Sequence, residues 1–245
     1  MYIPTNSVNL KDTPQLPIRL ALQGASGTGK TYSALTFPNP VVLDFDGNLN
    51  AHRGKNIIQV PFTSDEFVDS LAKRTTTTGP KSRPNRRDAL KNWLATEALQ
   101  LTAEQTLIID SWTTLQDAFD MQQDLEPAYT KTGGIDEFAF WADKQDFSKL
   151  ILNGLKRLKC HSVITFHEMY ITDDSGKIIA GKIAPLMQGK FVNKLGLYFT
   201  DWFRCVVPSV GVYKWQTSSD AITNCKTRMA NAPQFIEPHF KSFNY

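Results

Sequence analysis

Short apolar runs recur along the chain, each closing on glycine, an acid or a histidine. Ile18 to Leu22 runs into a glycine-rich turn and predicts a buried strand feeding a loop. Tyr32, Ala34, Leu35 and Phe37 suit a helix that Pro38 and Pro40 must stop. Val41 to Phe45 reads as a second strand and Asn56 to Val60 as another short one. Ser64 to Ala72 reads as a helix capped by Ser64, with Asp65 and Glu66 in its first turn. Thr106 to Ile109 is a third strong strand, ending at Asp110. Between Asp136 and Lys159, the residues Phe147, Leu150, Ile151, Leu155 and Leu158 fall at helical spacing, with lysines and Arg157 on the remaining face. Ser162 to Phe166 is a fourth strand. Strands alternating with helices predict an α/β fold with a mostly parallel sheet and helices on both faces. No repeat or linker divides the chain, so 1–245 is read as one domain.

Composition changes this picture little. At 41% hydrophobic and 21% charged, the 245 residues are ordinary for a globular domain. No stretch of about 18 apolar residues predicts a membrane span, and no apolar run follows a basic start. The expectation is a soluble, unexported protein with no membrane partner. Cys160, Cys205 and Cys225 are odd in number and widely spaced, which suits a reducing cytoplasm better than a disulfide framework or a zinc site. The net charge is only +3, so any nucleic-acid partner must be argued from clustering. Clustering is present: Lys73, Arg74, Lys81, Arg83, Arg86, Arg87 and Lys91 stand against a single acid, Asp88, among threonines, glycine and prolines. This predicts a mobile basic loop over 73–91.

The most specific pattern is GASGTGKT: Gly24, Ala25, Ser26, Gly27, Thr28, Gly29, Lys30 and Thr31, with Tyr32 following. It satisfies G-x-x-x-x-G-K-[ST] and lies between a predicted strand and a predicted helix, the context a phosphate-binding loop requires. Glycines let backbone N–H groups turn toward phosphate, and the helix N-terminus adds its positive end. Lys30 reaches the β- and γ-phosphates, and the Thr31 hydroxyl takes a position on Mg²⁺. The expected ligands are ATP and Mg²⁺.

A Mg²⁺ held this way calls for a carboxylate at the end of a neighbouring buried strand. Asp110, closing TLIID, supplies it; the alternative is an acid that caps the following helix. Hydrolysis also needs a group to activate water, and Ser111, next to Asp110, cannot be that base. Asp46 in VVLDFDGNL is the candidate, against a plain turn role before Gly47; Asp44 and Glu168 are the other acids at these strand ends. His167, in ITFHE, could sense the γ-phosphate or be a packed histidine.

With GASGTGKT, VVLDFDGNL, TLIIDSWTTL and SVITFHEMY in this order, the chain resembles RecA-superfamily ATPases, and among them the small phage-type RecA-like proteins associated with single-strand annealing and recombination. The likeness spans roughly Leu16 to Met229. It implies a RecA-like P-loop NTPase core. It also implies that Asp46 holds the place of the water-activating acid, usually glutamate, and that His167 holds the place of the residue coupling γ-phosphate to a DNA-binding loop. That loop would be 172–190, with Lys177, Lys182 and Lys190 seeking phosphate beside the glycines that make it mobile. Lys226 and Arg228 in NCKTRM are two apart, on one face of a strand. The resemblance suggests that they reach a neighbouring subunit's γ-phosphate; the alternative is a solvated face.

The function implied is a DNA-stimulated ATPase of phage-type recombination that binds single-stranded DNA through Lys81, Arg83, Arg86, Arg87 and the lysines of 172–190. ATP would control its self-association into a ring or filament, and a single-strand-binding protein would be a further partner. In a phage-encoded protein the compartment would be the host cytoplasm. A helicase-like or packaging motor shares the same core, although 245 residues leave little room for the added domain such motors carry. A small-molecule kinase would need neither the basic loop nor the Lys-x-Arg pair.

Overall fold

The computed structural model describes residues 16–72, 85–125, 129–130, 132–173, 175–187 and 189–243. Its strands are β1 (Arg19–Gly24), β2 (Pro40–Asp44), β3 (Ile58–Val60), β4 (Thr106–Asp110), β5 (His161–Thr172), β6 (Ile178–Pro185), β7 (Asp201–Ser209), β8 (Val212–Gln216) and β9 (Phe235–Ile236). They form a sheet in the order β3-β2-β4-β5-β1-β7-β8-β9, with β6 paired to β5. Every pairing from β3 through β7 along that order is parallel. The pairings of β6, β8 and β9 are antiparallel. The helices are α1 (Lys30–Ala34), α2 (Asp65–Ala72), α3 (Arg86–Ala95), α4 (Trp112–Leu125) and α5 (Glu137–Leu155). The α/β class and the mostly parallel central sheet flanked by helices are as the sequence predicts.

The apolar runs of β1, β2, β4 and β5 are buried on both faces, and their residues divide by the two-residue period of a strand. Ala21, Leu43, Ile109 and Ile164 join one core with Val68 of α2, Leu90 and Trp93 of α3, Leu115 and Phe119 of α4, and Phe147 and Ile151 of α5. Leu20, Leu22, Val42, Ile108 and Val163 join the other, closed by Ala34 of α1, Phe37, Trp215 and the C-terminal Phe240 and Phe243. Helices therefore cover the two faces unequally. The four long ones share one face, and the second face is sealed chiefly by aromatic rings, with Phe37 and Phe240 centroids 4.9 Å apart.

Several expectations are corrected. The basic stretch 73–91 is not one loop: Lys73, Arg74, Lys81 and Arg83 lie outside the described residues, but Arg86 to Lys91 belong to α3. Asn85 caps that helix by accepting from the Asp88 N–H at 2.9 Å. The predicted mobile loop 172–190 is largely ordered backbone. β5 continues to Thr172 and returns as β6 through a turn in which Asp173 accepts from Ser175 and from the Lys177 N–H. Lys182 lies in β6, and Lys190 in the 3-10 segment Gly189–Leu197. The helix predicted over 136–159 ends at Leu155, and within it Leu152, not the half-exposed Leu150, packs into the core. No helix among the described residues is long and apolar enough to cross a membrane.

Candidate functional site

Parallel register brings the ends of four strands to one edge. Gly24 lies opposite His167, Asp44 opposite Asp110, and Ile109 opposite Ile164, which sets Asp110 beside Thr165. Over this edge opens a cavity of about 670 Å³, lined by Ser26, Gly27, Gly29, Lys30, Thr31, Tyr32, Asp46, Asn48, His52, Asp110 and His167, and on the far side by Gly211, Tyr213, Glu237 and Pro238.

The glycine loop has the backbone its sequence requires. Gly27 and Gly29 take φ of 78° and 81°, left-handed values that leave their N–H groups free to turn toward an anion. Gly24 is needed for a different reason: a Cβ there would stand 2.9 Å from the Cys205 carbonyl oxygen of the neighbouring β7. The helix that follows, α1, has only five residues. The expected contribution of its positive end is therefore small, and phosphate binding would rest on the loop N–H groups and Lys30.

The buried Lys30 ammonium donates to the carbonyls of Gly24 at 2.9 Å and Ala25 at 2.8 Å. Burial lowers its pKa, while Cys205, Asp110 and further acids oppose that shift. The Thr31 hydroxyl donates to Asp110 Oδ2 at 2.9 Å, and the Thr165 hydroxyl donates to Asp110 Oδ1 at 2.5 Å. Burial pushes the Asp110 carboxyl up, the Thr165 and Thr31 hydrogen bonds hold it down, and Asp46 and Asp44 add repulsion. A hydroxyl and a carboxylate in contact, with two more acids behind them, fit a divalent cation that would relieve this repulsion. Among the described residues no group of three or more His, Cys, Asp or Glu could hold a metal unaided. One hydroxyl and one carboxylate are a donor set suited to a Mg²⁺ whose shell substrate phosphates and water would complete.

Asp44 and Asp46 separate cleanly. Asp44 is fully buried and its oxygens accept from the Gly47 N–H and from Gln59 Nε2, each at 2.7 Å. The turn role before Gly47 therefore belongs to Asp44. Asp46 faces the cavity, and its carboxylate accepts from Ser111 and Thr114. Glu168 is outside the cavity lining and is held by Arg204 through two hydrogen bonds of 3.0 and 3.1 Å. His167 is half-buried in the cavity wall. Its pKa is lowered by burial first and by the Lys30 ammonium second, against the pull of Asp46.

Lys226 and Arg228 belong to no strand of the sheet, which corrects the strand expected over 224–229, and neither lines the cavity of its own protomer. Lys226 forms a single bridge to Trp202, and its ammonium donates to the carbonyls of Gly196 and Phe199, both at 2.9 Å. The Arg228 N–H donates to Asp201, and the Arg228 charge is felt by Arg19 at the start of β1, the edge opposite Lys30. In their own protomer they are remote from the phosphate loop. Arg86 and Arg87 are also engaged within the fold, by Asp65 at 2.7 Å and Asp143 at 2.9 Å.

Sequence reasoning misses Ser111 as a partner of Asp46, together with Thr114, Thr165 and the wall of Gly211, Tyr213 and Pro238. A threonine inside the apolar run of β5 is a visible signal for Thr165. Tyr213 has no local signal, although its ring packs 3.1 Å from where a Cβ of Gly29 would stand.

A buried strand, a glycine loop with Lys-Thr, and a second buried strand ending in an acid beside that threonine define a P-loop nucleotide-binding core. The chain belongs to the AAA domain family, which matches residues 16–207, and is an ATPase. No curated protein matches it. Among solved structures it is similar to the RadB recombinase, at 12% identity over 81% of this chain and 79% of that one, with a TM-score of 0.41. It is also similar to the ATPase EscN, solved with its central stalk EscO from the type III secretion system of enteropathogenic E. coli. There the identity is 10%, the TM-score 0.46, and the match covers 89% of this chain and 48% of EscN.

Proposed function

We propose that this chain is a single RecA-like domain that binds and hydrolyses ATP and binds single-stranded DNA in phage-type recombination or strand annealing, with ATP controlling its oligomeric assembly. The observation that carries the reading is the continuity of β5. His167 lines the cavity, and from Glu168 onward the same strand pairs with β6 in a hairpin whose turn bears Lys177 and whose return strand bears Lys182. Tyr170 on that hairpin is 60% exposed and offers an aromatic face of the kind on which bases stack. One continuous strand thus joins the cavity edge to a projection that carries Lys177, Lys182 and an exposed tyrosine.

At the cavity, Lys30 and the loop N–H groups bind the triphosphate, and Thr31 with Asp110 holds Mg²⁺, which when bound offsets phosphate charge. Asp46 accepts the proton of the attacking water. His167 hydrogen-bonds at the γ-phosphate side and passes its position to the hairpin. The test is to measure ATPase rate with and without single-stranded DNA while following oligomer size. Turnover should rise with DNA, the assembly should change with ATP, and Lys30→Ala should abolish both responses. Turnover indifferent to DNA in a chain that stays monomeric would overturn the recombination reading, and near-normal turnover in Lys30→Ala would overturn the site itself.

A further inference from the structure

An aspartate on a loop is a poor fixed base, because its short side chain turns freely about the bond to the carboxylate. Here both the loop and the carboxylate are held. The N–H groups of Phe45 and Asp46 donate to the Asp110 carbonyl at 2.8 and 3.3 Å, tying the segment after β2 to the end of β4. Three donors then converge on a single oxygen of Asp46. Oδ1 accepts from the Ser111 N–H at 3.2 Å, from the Ser111 hydroxyl at 2.9 Å, and from the Thr114 hydroxyl in close contact. The hydrogen bonds of the Asp46 carboxylate among the described residues all fall on Oδ1, which leaves Oδ2 for the cavity that Asp46 lines.

The two hydroxyls do not float. Ser111 is buried, Thr114 stands in the first turn of α4, and Trp112, Leu115 and Phe119 of that helix are at most 2% exposed. The hydroxyls also lie 2.9 Å from each other. Core packing of α4 therefore fixes the orientation of the acid on the other side of the cavity floor.

We propose that Ser111 and Thr114 are positioning residues, a hydroxyl clasp that pins one oxygen of Asp46 so that the other is presented to the attacking water. This rests on the reading of Asp46 as the base. The clasp explains how an aspartate can stand where a longer glutamate is usual: anchoring removes the rotational freedom that would otherwise spread its second oxygen over several positions. Misplacement of a reacting group by about 1 Å can cost on the order of a hundredfold in rate.

The test replaces Thr114 by Val and by Ser. Thr114→Val keeps shape and removes the hydroxyl. It should lower kcat by about tenfold or more while leaving KM for ATP and the affinity for a non-hydrolysable ATP analogue unchanged. Thr114→Ser should recover most of the loss, which a merely structural role of the side chain would not produce. Ser111→Ala is the second variant should the valine chain fail to fold. It also loses the hydrogen bond from the Thr114 N–H at 3.4 Å, so some stability goes with it, but the change in rate should again fall on kcat alone. Turnover of Thr114→Val within twofold of the parent, or above it, would overturn the clasp. Asp46→Asn run in parallel separates the two failures. If it stays active, the base reading has failed; if it is inactive while Thr114→Val is not, the clasp alone has failed.

Discussion

Asp44→Asn and Asp46→Asn should fail in opposite ways, although the two residues are neighbours but one on the same strand end. Asp44 is fully buried and uses both oxygens as acceptors, each for a different N–H donor at 2.7 Å. An asparagine can satisfy only one of them, and its own amide then faces the other donor. A buried group left unsatisfied costs about 1–3 kcal/mol. In a chain of this size each kcal/mol moves the melting temperature by about 2–4 °C, so Asp44→Asn should melt roughly 2–12 °C lower. At temperatures well below the transition its turnover should remain. Asp46 gathers its donors on Oδ1, so in Asp46→Asn the side-chain carbonyl can keep all three while the amide faces the cavity.

The melting temperature of Asp46→Asn should therefore barely change, and its kcat should drop by about a hundredfold or more, because an amide cannot take the proton of water. Thermal unfolding without nucleotide and initial rates at saturating Mg-ATP read the two quantities independently. A loss of turnover on the order of a hundredfold in Asp44→Asn at an unchanged melting temperature, with Asp46→Asn active, would refute the assignment of turn to one acid and chemistry to the other.

Two other outcomes follow from the same geometry. Gly24→Ala places a Cβ 2.9 Å from the Cys205 carbonyl and 2.5 Å from the Thr28 hydroxyl; a strand backbone cannot give way as a side chain end can, so a loss of about 1–3 kcal/mol and weaker ATP binding are expected, and a stable variant with parental affinity would show that the loop tolerates displacement. Neutralising Lys177 and Lys182 should make the slope of log affinity for single-stranded DNA against log salt shallower by about 1.4, as measured by fluorescence anisotropy across a salt series; an unchanged slope would leave the hairpin lysines as solvating charge.

How much of the molecule is legible in the sequence depends on how local each feature is. β1, β2 and β4 are buried on both faces, so they appear as unbroken apolar runs, and the phosphate loop is contiguous between β1 and α1. Lys30, Thr31, Asp46 and Asp110 can therefore be picked out from the order of residues alone. α4 cannot, because its buried Trp112, Leu115 and Phe119 are diluted by the threonines, glutamines and aspartates between them. The far half of β5 is hidden because residues beyond Phe166 are only partly buried and pair with β6, so they lack the apolar signature of the central strands. Arg86 and Arg87 suggest a loop only if charge is weighed ahead of Asn85, whose capping marks the start of α3; the acids that pair with those arginines, Asp65 and Asp143, are far away in sequence. Tyr213 and Pro238 reach the cavity through the pairing of β7 with β1, β8 with β7 and β9 with β8, which no local pattern encodes.

Lys226 and Arg228 show what spacing alone leaves open within one protomer. A separation of two places side chains on the same side of an extended segment, but which neighbour that side meets is decided by where the segment pairs. Lys226 pairs with Trp202, which stands opposite Ala21 in β1, so the pair lies back along the sheet from the phosphate loop, and the Lys226 ammonium closes on the carbonyls at the end of the Gly189–Leu197 segment. With those two residues placed elsewhere, Lys30 is the sole lysine or arginine among the described residues that line the cavity. Additional cations at a transferring γ-phosphoryl are worth about a thousandfold in related NTPases. A cavity wall that presents one such cation among the described residues would gain most from a cation brought by a neighbouring protomer, and this is the physical ground for proposing that turnover and assembly are linked.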